Sequence, residues 1–308
     1  MRIVSLLPSA TEILCALGLE DQLVAVTHEC DYPRGVQRLP KLTRTLIPKD
    51  ATSGEIDRQV REQMQRTSAL YQLDRPLLKK MRPDLIVTQS LCHVCAVAQD
   101  DVQAALSGLE GEPRVINLEP QSLPDLFVAM RQVADAAGVS AETAIRSLMD
   151  RVESVAARSA LLPYRPRVAL LEWLDPPFSC GHWNPELVRL AGGVEGLGQE
   201  GQPSRPLRWD EVTAWQPEVI LLACCGLTTE RTLEDLPLVR SIPGWRELPA
   251  VRDGRLYVTD GSQYFSRPGP RLVDSLEILA HTLHPAVHPL PETLPRPTAV
   301  MARKGDGS

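Results

Sequence analysis

The sequence predicts an α/β protein of two lobes with parallel-type sheets, joined by a single long helix. Three patterns predict it. Apolar runs suited to strands buried on both faces are each followed by a helical pattern, the second half repeats the order of the first, and an uninterrupted helical pattern lies between them. The 308 residues also exceed what one core usually holds, which favours two lobes.

The elements follow in order. RIVSLLPS (2–9) reads as a strand running into a helix over TEILCALGL (11–19), with Ser9 or Thr11 as its cap and Glu12 at its positive end. VAVTH (24–28) is the next strand, followed by a long polar helical stretch around 53–82 and the strand PDLIVTQ (83–89). A helix over 98–107 and the strand RVINLEP (114–120) complete the first half. RVALLEWLDPP (167–177) before NPELVRLAGG (184–193) restarts the scheme. DEVTAWQPEVILLACCG (210–226) echoes LLKKMRPDLIVTQSLC (77–92), each a helix, a proline–acid pair, a buried strand and then cysteine. GRLYVTDGSQYFS (254–266) and the helix after it echo RVINLEP and its helix.

Between the halves, SLPDLFVAMRQVADAAG stops at Gly138, and a fresh helix starts after Ser140 with Ile145, Leu148, Met149, Val152 and Val155 on one face. The expected organisation is a lobe over 1–138, a connecting helix over 139–163, a second lobe over 164–285 and a disordered proline-rich tail over 286–308.

Composition excludes several functions. A net charge of −6 provides no basic footprint for nucleic acid, and no run approaches the roughly 18 apolar residues of a membrane span. No apolar signal core follows Arg2, so the chain as written reads as cytosolic, or as periplasmic if a signal has been trimmed. Seven cysteines without even spacing read as reduced thiols. There is no nucleophile elbow, Walker loop, GxGxxG after a strand or HExxH, so no enzyme activity is expected.

The segments SLLPSATEILCALGL (5–19), THECDYP (27–33), RPDLIVTQ (82–89), GHWNPELVRLAGG (181–193), PEVILLACCG (217–226), PGWRELPAVRDGRLYV (243–258) and SRPGPRLVDSLEIL (266–279) resemble the helical-backbone substrate-binding proteins of ABC importers, closest to the cobalamin-binding branch. The resemblance runs from about Arg2 to Pro285. It implies two Rossmann-like lobes with a ligand cleft between them, a corrinoid (cobalamin-like) or related metal-chelate ligand, and an ABC permease as partner. Docking carboxylates usually lie on the lobe tips of such proteins. Glu12 and Glu186 fall at matching helix starts, where helix capping explains them equally well.

Candidate site residues gather after predicted strands, where ligands collect in open α/β sheets. Tyr32, Trp173, Phe178, Trp183, Tyr264 and Phe265 fall there in a chain only 4% aromatic, which suits stacking against a flat corrin or porphyrin. Trp209, Trp215 and Trp245 read as structural. Glu29 and Arg267 lie at the same ends, with Asp31, Arg44, Asp175, Arg205 and Arg271 nearby, and Arg267 is the preferred anion contact. Glu172, a buried acid after a strand, needs a partner or a ligand. Cys92 and Cys95 form a CxxC pair that Cys30 and Cys225 would complete as a zinc or iron–sulfur site, with His28, His93 and His182 as spare ligands, and the alternative function is then a cytosolic metalloprotein or enzyme on the same scaffold. The alternative for these thiols is packing behind strand ends, the role read for Cys15. Cys180 and Cys224 look incidental.

Overall fold

The computed structural model describes residues 1–47, 51–67, 70–89, 105 and 111–300. The chain divides into two compact units, Met1–Ser147 and Leu148–Ser308, and the division falls inside the helix Glu142–Ala160.

The first unit contains β1 (Ile3–Ser5), β2 (Leu23–Ala25), β3 (Thr43–Thr45), β4 (Tyr71–Leu73), β5 (Leu85–Thr88) and β6 (Arg114–Asn117). Its main sheet is parallel throughout, in the order β2-β1-β5-β6. Val4, Leu6, Ala25, Leu42, Leu73, Leu78, Ile86 and Ala105 pack into one buried cluster against it. The helix after β1 spans Pro8–Ala16, because proline pre-sets the first helical position, and its cap is Leu7, with no side-chain bond. Thr11 does not cap it. Its hydroxyl bonds Ser5 Oγ at 2.8 Å.

The polar stretch 53–82 is not one helix. A helix Ser53–Thr67 gives way to β4, which pairs antiparallel with β3, and a new helix opens at Arg75–Met81. Two local features cause the restart: Pro76 sits in the first turn, and the Asp74 carboxylate accepts the Leu77 N–H at 2.9 Å. The helix expected over 98–107 lies outside the described residues except for Ala105.

The second unit contains β7 (Arg167–Leu174), β8 (Pro177–Ser179), β9 (Val194–Glu195), β10 (Val219–Leu222), β11 (Leu256–Val258) and β12 (Thr298–Ala299). The parallel strands run β9-β7-β10-β11. This is the order of the first unit, with the initial strand central, the second on one side, and the third and fourth on the other. β8 folds back antiparallel on the carboxyl half of β7, and β12 lines β11 antiparallel.

The repeat extends to individual bonds. The helices Arg75–Met81 and Trp209–Trp215 both end on a left-handed residue, Arg82 (φ 44°) and Gln216 (φ 51°), each followed by the proline–acid pair. Asp84 Oδ2 accepts the Arg2 N–H at 2.7 Å, and Glu218 Oε2 accepts the Arg167 N–H at 3.0 Å. The arginine returns the tie: Arg2 Nε donates to Met81 O at 2.7 Å and Arg167 Nε to Gln216 O at 3.0 Å. Each acid therefore pins the amino end of the central strand to the strand that follows it.

The helix Leu123–Ala137 ends at Gly138, whose φ of 70° suits glycine, and the connecting helix Glu142–Ala160 starts after it. Arg151 on that helix bonds Asp274 (2.5 Å) and Glu277 (2.7 Å) of the second unit's last long helix. The tail expected to be disordered is described as far as residue 300 and is attached. His288 is buried and its Nε2 meets Ser159 Oγ at 3.1 Å, the ring of His281 bonds His288 O, and β12 completes the sheet edge. Residues 301–308 lie outside the described residues.

Two measurements test these ties. Glu218→Ala is expected to lower the unfolding free energy by about 1–2 kcal/mol in urea titration, because the start of β7 loses its acceptor. Burial, reinforced by Arg158, His284 and His281, pushes the His288 imidazole down to about 4 from its ordinary 6.5. Its neutral form is thus the one the fold holds, so its contribution is complete above pH 6.5 and is lost as pH falls towards 4. Unfolding midpoints measured across that window are expected to fall less steeply in His288→Asn than in the native chain.

Candidate functional site

In each sheet the chain leaves the central strand on one side and then crosses to the other, so a crevice opens beyond the carboxyl ends of β1 and β5, and of β7 and β10. The predicted site residues that are described fall after β2, at the end of β7, on and after β8, and after β10 and β11.

In the first unit the segment after β2 carries His28, Glu29, Cys30 and Tyr32. His28 Nδ1 meets Thr43 Oγ1 at 2.7 Å, and the Tyr71 hydroxyl donates to Glu29 Oε1 at 3.2 Å. The His28 and Tyr71 rings lie 5.5 Å apart. Tyr71 lies in a strand of only three residues inside the stretch expected to be helical, too short to show a period of its own in the sequence. Tyr32 is 48% exposed, as a stacking residue needs to be.

Cys30 turns the other way. It is 2% exposed, its sulfur lies 3.1 Å from both Thr11 Oγ1 and Thr27 Oγ1, and burial pushes its thiol up. A thiol sealed among hydroxyls and held protonated behaves as a packing residue. Cys92, Cys95 and His93 lie outside the described residues, and Cys225, half-buried after β10, belongs to the second unit. Among the described residues no group of three or more His, Cys, Asp or Glu is placed to hold a metal ion.

In the second unit, Trp173 and Phe178 face each other across the β7–β8 pair and are both half-buried. Glu172, beside them, finds its partners within the protein: Oε1 accepts the Gly181 N–H at 3.0 Å and Asn184 Nδ2 at 2.8 Å. Burial pushes its carboxyl up to about 7, against the pull of bonds from Asn184, Gly181 and Ser204, while nearby Glu195 adds to the rise. Glu195 is itself pushed up by burial, although three successive N–H groups, from Gly196, Leu197 and Gly198, donate to it.

The loop after β11 is tightly built. Asp260 Oδ1 accepts the N–H groups of Ser262 and Gln263, both at 2.9 Å. A Cβ on Gly261 would stand 2.2 Å from Cys224 O, so only glycine lets this loop lie against the backbone after β10. Phe265 has a φ of 69°, a left-handed conformation that costs a bulky residue roughly 1–3 kcal/mol. Its N–H donates to Ser275 Oγ at 3.0 Å, and its carbonyl accepts Trp183 Nε1 at 2.6 Å and Asn184 Nδ2 at 3.2 Å.

Two of the expected stacking residues are therefore reassigned. Phe265 is 1% exposed and Trp183 is 5% exposed, both spent on the interior. Tyr264 and Arg267, on either side of Phe265, keep part of their surface, and the buried Arg271 guanidinium lies 5.5 Å from the Tyr264 ring centroid. Arg44 and Arg205 are taken up by Gln72 and Glu211. Neither carboxylate at the matching helix starts is displayed for docking: Glu12 is buried, and the Glu186 side chain is largely covered, 3.9 Å from Arg189. Asn184, which joins Glu172 to the Phe265 loop, was missed because asparagine before proline reads as a helix start.

Parallel sheets of one repeated order, with aromatic and charged loops at their carboxyl ends, are an architecture suited to holding a solute. Residues 3–262 match the model of the periplasmic binding protein family, and the chain belongs to that family. It is a binding protein and not an enzyme. It is 24% identical over 278 residues to a vitamin B12-binding protein of Vibrio cholerae, covering 90% of this chain and 86% of that one. It is 22% identical to an uncharacterized ABC transporter substrate-binding lipoprotein of Bacillus subtilis, covering 92% of this chain and 80% of that one. The crystal structure of a periplasmic haem-binding protein from Pseudomonas aeruginosa superposes with a TM-score of 0.71 at 22% identity, over 98% of this chain and 99% of that one.

The Glu172 carboxyl gives this region a pH signature. Its proton is held to about pH 7 in the fold but only to about 4.5 in the unfolded chain. The folded state thus binds the extra proton between those values, and stability falls as pH rises through them, by roughly 3 kcal/mol from this group alone. Glu172→Gln is expected to remove that fall when unfolding midpoints are followed from pH 4.5 to 7.5. An unchanged slope would refute the assignment.

Proposed function

We propose that the chain is the receptor of an ABC importer for a large tetrapyrrole, with a corrinoid as its cargo. The observation that carries the reading is the set of partly exposed aromatic rings near the carboxyl ends of strands, Tyr32 after β2 in one unit and, in the other, Trp173 and Phe178 on the β7–β8 pair and Tyr264 after β11, with Arg267 near Tyr264. Flat faces of this kind suit a macrocycle, and a guanidinium suits the amide or carboxylate groups at its edge. The vitamin B12-binding relative supports the corrinoid. The family and the lipoprotein relative favour work outside the cytosol, with a permease as partner, over the cytosolic alternative.

A haem-type ligand is the second reading, and different residues favour it. His28 and Tyr71, together at the end of β2, are nitrogen and phenol donors of the kind that hold haem iron. The haem-binding neighbour points the same way. A zinc or iron–sulfur centre gains no support from the family or from these relatives.

Titration of the purified full chain with cyanocobalamin and with haemin, followed by absorbance and calorimetry, separates the readings. The corrinoid reading expects a dissociation constant of about 1 µM or tighter for cyanocobalamin, weakened roughly tenfold in Tyr264→Ala and in Arg267→Ala. Tight haemin binding lost in Tyr71→Phe, with no response to cyanocobalamin, would establish the second reading instead. Silence towards both macrocycles would defeat the tetrapyrrole assignment.

A further inference from the structure

We propose that Asn184 is a positioning residue for ligand capture: its amide, anchored on Glu172, holds the Phe265 backbone in its left-handed conformation and so sets where Tyr264 and Arg267 stand. This inference rests on the tetrapyrrole reading for the ligand, but not for the conformation.

Phe265 occupies a φ of 69° that a bulky residue does not adopt without external restraint. The restraint is visible on both sides of the residue, since Ser275 takes its N–H and two donors share its carbonyl. Those donors are consecutive residues, Trp183 and Asn184, from the start of the helix Asn184–Leu190. Asn184 does more than Trp183. One amide nitrogen serves Phe265 O at 3.2 Å and Glu172 Oε1 at 2.8 Å, bridging the loop after β11 to the end of β7. Glu172 is in turn fixed by the Gly181 N–H, and its own carbonyl accepts the Cys225 N–H at 2.9 Å. Loops after β7, β8, β10 and β11 thereby share one network.

The residue type is informative. Aspartate would donate to neither acceptor, and an apolar side chain would leave Phe265 O to Trp183 alone and Glu172 Oε1 to the Gly181 N–H alone, with nothing joining the two. Asparagine meets both while leaving its own buried Oδ1 without a hydrogen-bond partner among the described residues. An orphaned carbonyl is a stability cost, and a group retained despite that cost is retained for its donors. The beneficiaries are the neighbours of Phe265. Tyr264 and Arg267 have their place only while the peptide between them keeps its hand.

The chain has three phenylalanines, Phe127, Phe178 and Phe265, so fluorine-labelled phenylalanine gives a readable spectrum, with Phe265→Leu assigning the third line. In Asn184→Ala the Phe265 line is expected to broaden or split while the Phe127 line stays as it is. Affinity for whichever of cyanocobalamin and haemin the native chain binds is expected to weaken about tenfold. Glu172→Gln, which keeps an acceptor oxygen, is expected to leave the Phe265 line single. A single Phe265 line of native width in Asn184→Ala, or a broadened line with affinity within about twofold of native, overturns the proposal. If Asn184→Ala does not fold, Asn184→Ser and Trp183→Phe are read in the same way. If the native chain binds neither macrocycle, the ligand reading fails, and the fluorine spectrum alone decides the positioning role.

Discussion

Everything at the carboxyl ends of these sheets depends on the register of one central strand in each unit, and that register is held from the opposite end. A strand buried on both faces has no polar face to distinguish one alignment from the next, and sliding by a residue would exchange its two sides. Asp84 and Glu218 remove the ambiguity. Each accepts the N–H at the start of the central strand, while the arginine there reaches back to the helix preceding the acid. The preceding proline, after a left-handed residue, ends the helix and sends the chain into β5 or β10 at a fixed point. With the amino ends aligned, Ser5 stands beside Val87, and Leu171 beside Leu222. The loops that follow then begin at matched heights.

This constraint explains why so much of the fold was readable. A proline–acid pair before an apolar run is a local signal, and its recurrence at 83–84 and 217–218 identifies the repeat without any knowledge of contacts. The connecting helix was equally legible, because Gly138 and the spacing of Ile145, Leu148 and Val155 are local too. The errors came where a short segment depends on a distant one. Tyr71–Leu73 is a strand only because Thr43–Thr45 pairs with it, and the tail is ordered only because Ser159 and β11 receive it. Neither partner can be inferred from the segment's own composition.

Site residues were legible by position and less so by orientation. Being next to a strand end placed Phe265, Trp183 and Cys30 correctly in the chain, yet all three face inward. The reason is common to them. A loop that packs against its neighbours must fill its own interior, and the apolar or weakly polar residues in it are the ones available. Tyr264 and Arg267, with polar tips, keep surface where Phe265 between them does not. Sequence alone therefore identifies the loop, while the polarity of each tip decides which members keep surface.

The two units share a strand order and differ in what that order presents. Beyond β1 and β2 the buried polar groups are mostly hydroxyls, with a thiol, an imidazole and one carboxyl: Ser5, Thr11, Thr27, Cys30, Glu12 and, beside them, His28. Beyond β7 and β8 they are carboxyls and an amide, Glu172, Glu195 and Asn184, and the hydrogen-bonded Trp183 is buried with them. The hydroxyls each join two segments at a time, Thr11 to Cys30 and Thr43 to His28. A buried carboxyl has more acceptor capacity to fill. It must gather donors from several segments, or the cost of removing it from water is not met. Glu172 draws on Gly181 and Asn184, and through Asn184 on Phe265, so satisfying one acid fixes the relative placement of three loops. In the second unit desolvation has thus been converted into rigidity. Tyr264 and Arg267 stand on a loop held in this way, through the bonds to Phe265 between them.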